Sequence, residues 1–121
     1  MIVAGLGFRK DAGIDSLRDA LARIGGHAAQ ALATAADKAD AAVIQALAAE
    51  RNLPLHAISL ENLRNQLTLT QSARVQARYN TGSLAEAAAL AAAGPGARLL
   101  GARVTSQDGM ATAALAERSP S

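Results

Sequence analysis

The sequence predicts an α/β fold, a three-layer α/β/α sandwich around a mixed, mainly parallel sheet of about five strands with a C-terminal β-hairpin. Two observations predict it. Strand-like apolar runs alternate with segments of helical period as far as Ile58, which is the pattern of a parallel sheet covered by helices. Near the C-terminus, Asp108-Gly109 separates two further strand-like runs, and Asp-Gly favours a hairpin. The 121 residues suit one domain, which we expect over residues 1–117, with a loose tail at 118–121.

The first three elements are predicted from apolar runs and glycines. Ile2–Leu6 is a short apolar run, and we expect Gly5 and Gly7 to end this buried strand. Apolar residues then recur at helical spacing over Ile14–Ile24, and Gly25-Gly26 stops that helix. Ala28–Ala33 is assigned as the second strand, mainly because it lies between two helices.

Two further helices flank a strand in the middle of the chain. Asp37–Asp40 opens the second helix, and we expect Asp37 to be its N-cap. Leu55–Ile58 is the third strand, because Pro54 forbids a helix at that point. Ser59 can cap a short helix around Leu60–Asn65.

The last third of the chain begins with a stretch that no pattern assigns, Leu67–Asn80. Ser83-Leu84-Ala85-Glu86 is a capping box, in which the Ser and Glu side chains each bond a free backbone amide at the start of a helix. The alanine-rich helix that follows is ended by Gly94-Pro95-Gly96. The two strands of the C-terminal hairpin are Leu99–Thr105 and Met110–Leu115.

Composition excludes several classes of protein. Without cysteine the chain has no disulfide, thiolate nucleophile, cysteine zinc site or iron–sulfur cluster. No signal peptide is recognised, and the longest apolar run, Leu84–Ala93, is far shorter than the ~20 residues that span a bilayer. A net charge of +2, scattered arginines and the scarcity of aromatic residues argue against nucleic acid as a partner. We therefore expect a cytoplasmic protein, monomer or homodimer, that binds neither membranes nor nucleic acids.

The loop after the first strand is a candidate anion site. Gly5-Leu6-Gly7 invites comparison with the dinucleotide-binding fingerprint, but Lys10 stands where the third glycine should fall and no acidic residue closes the second strand. What remains is a glycine turn at the carboxyl end of a strand, where backbone amides can meet an anion and Arg9 and Lys10 add charge. An ordinary tight turn with solvated basic side chains is the alternative, and residue types alone favour that alternative.

Two more loops are candidates for the same edge of the sheet. If the first two strands are parallel, Thr34 and Lys38 emerge beside Arg9, although a strand end and a solvated lysine also explain them. A third loop, Asn80–Ser83, precedes the alanine-rich helix, whose first amides can meet an anion. In this loop the role of Ser83 as an N-cap is the alternative to ligand binding. The candidate binding residues are Gly5, Gly7, Arg9, Lys10, Thr34, Lys38, Thr81, Gly82 and Ser83.

Residues for catalysis or metal binding are not recognised. His27 and His56 lie far apart in the sequence, and neither belongs to a cluster with metal-ligand spacing. No nucleophile elbow, Walker loop or His-Glu-x-x-His motif occurs. We therefore predict no catalytic residue, no metal and no cofactor.

Five motifs stand in a fixed order along essentially the whole chain. They are Val3-Ala4-Gly5-Leu6-Gly7-Phe8-Arg9, the Thr-x-x-x-Lys segment Thr34–Lys38, Leu53-Pro54-Leu55 leading to Ser59-Leu60-Glu61-Asn62-Leu63, Thr81-Gly82-Ser83-Leu84-Ala85-Glu86-Ala87-Ala88-Ala89-Leu90, and a closing hairpin with Arg103 and Thr112. Their order and spacing resemble the family formed by the cobalamin-biosynthesis protein CobE and the homologous C-terminal domain of CbiG.

The resemblance implies a role in cobalamin (vitamin B12) biosynthesis. The implied role is to bind or hand on a precorrin intermediate of the aerobic pathway, whose acetate and propionate groups would meet Arg9, Lys10 and Lys38. Two alternatives stay open: a hydrolase acting on a precorrin lactone or side chain, with Thr81 or Lys38 polarising the substrate, and a module that docks onto other enzymes of the pathway. The lack of a recognisable nucleophile, histidine base or metal cluster favours binding over hydrolysis.

Overall fold

The computed structural model of this chain describes residues 1–69, 72, 75–76 and 83–119. Within these residues, six strands form one sheet: β1 (Ile2–Phe8), β2 (Ala31–Ala35), β3 (Leu55–Ile58), β4 (Arg98–Leu99), β5 (Val104–Thr105) and β6 (Ala111–Glu117). The strand order is β3-β2-β1-β6-β4, and β5 also pairs with β6. Strands β1, β2 and β3 are parallel, whereas β6 runs antiparallel to β1, β4 and β5. The predicted α/β class is therefore confirmed.

Helices cover both faces of the sheet. In the part of the chain that the structure describes, they are α1 (Ile14–Arg23), α2 (Ala42–Arg51), α3 (Leu60–Arg64) and α4 (Leu84–Ala93). Strand β1 separates two cores because its side chains alternate between the faces: Leu6 and Phe8 pack with α1 and α2, whereas Val3 packs with α3 and α4. No helix among the described residues has the length and apolar character that crossing a membrane requires.

Gly5 allows α4 to approach β1 closely. A Cβ at this position would lie 2.0 Å from the Ala85 carbonyl oxygen and 2.6 Å from the Ala89 amide nitrogen, both of which are backbone atoms of α4. The alanines of α4 complete the same contact, since small side chains let a helix lie near the sheet. The prediction that Gly5 and Gly7 end the first strand was wrong, because β1 continues to Phe8 and its antiparallel ladder with β6 includes both glycines.

Other boundaries also differ from the prediction: β2 ends at Ala35 and not at Ala33, and the last strand, β6, is Ala111–Glu117 and not Met110–Leu115. Strand β2 begins at Ala31 and not at Ala28, since a 3₁₀ turn occupies Gly26–Ala28 and the Gln30 amide bonds the Ile2 carbonyl at 2.8 Å before the ladder starts. Helix α2 begins at Ala42 with Ala41 as its N-cap, so Asp37 does not cap it.

The loop before α2 is instead a backbone turn. The amides of Lys38 and Ala39 both bond the Ala35 carbonyl, at 2.9 and 3.0 Å, which turns the chain at the end of β2. The Ala41 amide then bonds the Lys38 carbonyl at 3.1 Å, so that the helix starts later than the acidic residues suggested.

The predicted serine caps of α3 and α4 are present, whereas the Glu86 carboxylate, which the capping box predicted to bond an amide at the start of α4, accepts the amides of Leu69 and Arg103. The Ser59 hydroxyl accepts the Asn62 amide at 3.3 Å, and the Ser83 hydroxyl accepts the Glu86 amide at the same distance. These bonds satisfy amides that the first turns of α3 and α4 would otherwise leave without a partner. The bounds of β3 are those predicted.

The partner strand of the C-terminal hairpin is interrupted. Leu100 donates its amide to the Leu115 carbonyl at 2.9 Å, and Val104 pairs with Ala113. Gly101–Arg103 therefore faces the single residue Ala114, which is a β-bulge with two extra residues. The predicted strand Leu99–Thr105 is consequently split into β4 and β5.

Candidate functional site

A cavity of about 280 Å³ lies at the carboxyl end of β1. Gly7, Phe8 and Arg9 form one side of it, and Lys38, from the turn after β2, reaches it as well. Strand β1 has a parallel neighbour on one side and an antiparallel neighbour on the other. In open α/β sheets, ligands bind in the crevice outside the carboxyl ends of the parallel strands, and this cavity lies at that edge.

The remaining walls come from later parts of the chain. Leu84 contributes from the first turn of α4, and Ser72 and Val75 contribute from the segment before it. Arg103 precedes β5, and Thr112 lies on β6. Residues far apart in sequence are therefore brought to one cavity by the sheet.

The cavity has a positive electrostatic character. Arg9 is exposed, whereas Lys38 and Arg103 are half-buried. Among the lining residues within the described part of the chain, none is acidic. The backbone at Arg9 is held in place by a 2.8 Å bond from its amide to the Met110 carbonyl. This arrangement favours an anionic ligand, because such a ligand meets several cations and no carboxylate among the described lining residues.

The aromatic ring of Phe8 helps to position Lys38. The Lys38 ammonium lies 4.9 Å from the centre of that ring, within the range of a cation–π contact. Phe8 is buried at 9% exposure and packs in the core with α1 and α2, so its ring is a fixed surface. The ammonium is thereby kept at the wall of the cavity.

Gly7 keeps the cavity open beside β6. A Cβ at Gly7 would lie 2.9 Å from the Thr112 hydroxyl oxygen and 3.5 Å from the Leu84 Cβ. The Thr112 hydroxyl donates to the Gly7 carbonyl at 3.4 Å. The space that any larger residue would fill is therefore left to a ligand.

The tip of the hairpin is tied to α1. The Asp108 carboxylate accepts the hydroxyls of Ser106 and Ser16 and the amide of Met110, which lower the pKa of that carboxyl, the Ser106 bond contributing most. The Asp19 carboxylate accepts the Gln107 amide at 2.7 Å, and this bond is the main cause of the lowered pKa of Asp19. These bonds fix the wall formed by Gly109, Met110 and Ala111.

The structure brings together only part of the predicted set of binding residues. Gly7, Arg9 and Lys38 line the cavity, whereas Lys10 is exposed and does not line it. Thr81 and Gly82 lie outside the described residues.

Three predicted residues have structural contacts away from the cavity. Gly5 lies beneath α4. Thr34 is fully buried and donates its hydroxyl to the Leu6 carbonyl at 2.7 Å, which ties β2 to β1. Ser83 is fully buried as the N-cap of α4. The roles of these residues in ligand binding stay predictions.

Sequence reasoning missed several residues of the cavity. Arg103 and Thr112 belong to the motif of the closing hairpin, but they were not proposed as binding residues. Phe8 and Leu84 are apolar, and their residue types indicate core positions more than ligand contacts. A basic side chain such as Arg103 on a predicted hairpin could indicate ligand binding. It can be assigned to this site only once β6 is known to lie beside β1.

Comparisons with known proteins point to one family. Residues 2–116 match the family described as Cobalamin synthesis G C-terminus. The structure is similar to that of CobE, a protein from the cobalamin (vitamin B12) biosynthetic pathway, with 33% sequence identity and a TM-score of 0.87 over 98% of this chain and 91% of that chain. It is also similar to the cobalamin biosynthesis protein chiG from Agrobacterium tumefaciens str. C58, with 33% identity and a TM-score of 0.75 over 99% of this chain and 100% of that chain.

A more distant likeness concerns the fold alone. A cobalamin biosynthesis protein G homolog from Sulfolobus solfataricus shares 18% identity with a TM-score of 0.69, and the match covers 99% of this chain but 37% of that one. A comparison with curated proteins gave no match.

Proposed function

This chain belongs to the Cobalamin synthesis G C-terminus family, a family of cobalamin biosynthesis proteins. From that membership we propose that it binds a precorrin-type tetrapyrrole. It would hold this ligand or hand it on without covalent chemistry. The observation that carries the proposal is the cavity at the end of β1, where Arg9, Lys38 and Arg103 meet with no acidic side chain among the described lining residues.

The chemistry of the ligand fits this charge distribution. Corrin precursors are flat macrocycles edged with acetate and propionate carboxylates. An arginine guanidinium can donate two parallel hydrogen bonds to a carboxylate, and a lysine ammonium adds a compact positive charge. The half-buried positions of Lys38 and Arg103 reduce the screening of their charges by solvent.

The size of the cavity indicates how such a ligand would bind. Its volume of about 280 Å³ is at the lower limit of clefts that enclose drug-sized molecules, roughly 300–1,000 Å³. A tetrapyrrole is too large to enter entirely. We therefore expect one carboxylate-bearing edge to enter the cavity while the rest of the macrocycle stays outside it.

The lining residues support binding more than hydrolysis. Within the described part of the wall, they include no histidine, cysteine, aspartate or glutamate that could act as nucleophile or general base. Ser72, Thr105 and Thr112 offer hydroxyls, but the described lining residues include no carboxylate or imidazole to take a proton from them, and the Thr112 hydroxyl donates to the Gly7 carbonyl.

A titration with an isolated precorrin tests the proposal. The absorbance of the chromophore measures binding, and the mass of the recovered tetrapyrrole reports any reaction. We expect Arg9→Ala, Lys38→Ala and Arg103→Ala each to weaken binding roughly tenfold or more, since a charge-assisted contact contributes about 1.5–3 kcal/mol. Arg51→Ala is the matched control, because Arg51 is exposed at the end of α2 and does not line the cavity.

Two results would contradict the proposal. Unchanged affinity in the Arg9→Ala/Lys38→Ala double variant would show that the ligand binds elsewhere. Steady conversion of the precorrin by the isolated protein would show that the protein is an enzyme.

A further inference from the structure

Glu86 is a fully buried carboxylate that bonds two backbone amides distant from it in sequence, one of which belongs to the lining residue Arg103. Its Oε1 accepts the amide of Leu69 at 2.7 Å, and its Oε2 accepts the amide of Arg103 at 2.8 Å. Each partner is 17 residues away in sequence, one before α4 and one after it. Glu86 itself does not line the cavity.

The Arg103 amide belongs to the bulge in the edge strand. Gly101–Arg103 faces the single residue Ala114, so this amide has left the regular ladder with β6. A bulge commonly redirects a side chain. Here the bulge contains Arg103, which lines the cavity.

The Leu69 amide precedes two lining residues in the sequence. Ser72 is three residues later and Val75 six residues later, and both line the cavity. A single carboxylate therefore bonds the backbone at Arg103 and at Leu69.

The start of α4 stabilises the charge of Glu86 in this position. Glu86 lies in the first turn, where the partial positive charge of the helix N-terminus favours a carboxylate, and the Ser83 cap orders that turn. A buried carboxylate is tolerated when hydrogen bonds satisfy it, and the amides of Leu69 and Arg103 supply such bonds.

We propose that Glu86 is a positioning residue for the anion site: it holds the bulge so that Arg103 points into the cavity, and it never contacts the ligand. This inference rests on the proposed function, because it assumes that Arg103 binds a carboxylate of the tetrapyrrole.

A double-mutant cycle between Glu86→Gln and Arg103→Ala tests the inference. Glutamine keeps the size of the side chain but has one acceptor oxygen for two amides. The probe is a porphyrin octacarboxylate, whose binding is followed by absorbance. We expect Glu86→Gln to weaken binding about five- to tenfold when Arg103 is present and less than about twofold in the Arg103→Ala background. Glu61→Gln, an exposed glutamate in the first turn of α3, is the matched control and should leave affinity unchanged.

A second measurement needs no ligand. Amide hydrogen exchange should accelerate at Leu69 and Arg103 in Glu86→Gln while the amides of β1 and β2 stay protected. Loss of stability alone would accelerate exchange throughout the sheet. If Glu86→Gln does not fold, Glu86→Asp takes its place, since it keeps the charge but is too short to reach both amides.

The outcomes separate the two claims. Equal loss of affinity from Glu86→Gln in both backgrounds would overturn the positioning role and leave the proposed function standing. Failure of the wild-type protein to bind either the porphyrin octacarboxylate or a precorrin would overturn the proposed function, and the positioning role would fall with it.

Discussion

The ammonium of Lys38 lies 4.9 Å from the centre of the Phe8 ring, so the last residue of β1 and the turn after β2 are in direct contact. This contact joins the two loops that parallel strands bring to the same edge of the sheet. It also explains how a lysine on a surface turn comes to be half-buried at the wall of a cavity.

Replacing Phe8 with leucine should weaken ligand binding. Leucine keeps an apolar side chain in the core but removes the ring face, and a cation–π contact contributes about 0.5–2 kcal/mol. We expect Phe8→Leu to lower precorrin affinity roughly two- to tenfold, as measured by absorbance titration. In the Lys38→Ala background the same change should have almost no further effect. Equal losses in both backgrounds would mean that the ring does not act through Lys38.

Replacing Gly5 with alanine should destabilise the fold. The added Cβ would lie 2.0 Å from a carbonyl oxygen of α4, so the helix would have to move away from the sheet. Overpacking of this kind costs about 1–3 kcal/mol, measurable as the free energy of unfolding in urea. Gly101→Ala is the matched control, since a Cβ there meets nothing within 4 Å. If the two variants are equally stable, the close approach of α4 to β1 is not what Gly5 provides.

Replacing Thr34 with valine should separate stability from binding. The Thr34 hydroxyl is fully buried and bonds the Leu6 carbonyl at 2.7 Å, so its removal should cost about 1 kcal/mol of unfolding free energy. Because Thr34 does not line the cavity, precorrin affinity should change less than about twofold. If Thr34→Val loses as much affinity as Lys38→Ala, Thr34 contacts the ligand after all.

Stability should fall in acid, partly through Asp108. The hydroxyls of Ser106 and Ser16 and the Met110 amide lower the pKa of Asp108 below its ordinary value of 3.8 in the folded protein. The stabilisation is therefore present above about pH 4 and is lost as the pH falls through the folded-state pKa. The midpoint of urea unfolding, measured from pH 6 to pH 2.5, should fall less steeply in Asp108→Asn than in the wild type.

Other carboxylates should also contribute to the loss of stability in acid. Asp19 and Glu50 also have lowered pKa values, through the Gln107 amide and the Arg18 guanidinium respectively, so some loss of stability in acid should remain in Asp108→Asn. Asp11→Asn, a change at an exposed residue of the loop after β1, serves as the control. A wild-type slope in Asp108→Asn would show that the hairpin tip does not depend on this charge.

The parts of the fold that sequence could predict are those set by local patterns. Leu55–Ile58 follows a proline and is a strand with those bounds, and Ser59 caps the next helix. The spacing of apolar residues likewise predicts α1, and the structure buries Leu17 and Leu21 on one face of that helix. These features depend on neighbours within a few residues, so the sequence alone contains the information.

The rest depends on contacts between distant residues. Gly5 reads as a turn glycine until α4 is known to pack on it. The bulge at Gly101–Arg103 leaves no mark in the alternation of apolar residues, and the amide of its last residue bonds Glu86, 17 residues away. The cavity therefore contains Arg9 and Lys38, whose convergence parallel strands predict, and also Arg103, whose position only the tertiary structure reveals.

Arg9 and Lys10 are adjacent basic residues that should differ in their effect on binding. Both are exposed, but Arg9 lines the cavity and Lys10 does not. We expect Arg9→Ala to weaken precorrin binding roughly tenfold or more through loss of a direct contact. Lys10→Ala should weaken it less than about threefold, and that effect should vanish at 1 M salt, where the screening length is about 3 Å. Equal losses at high salt would mean that Lys10 also contacts the ligand and that the binding surface extends beyond the cavity.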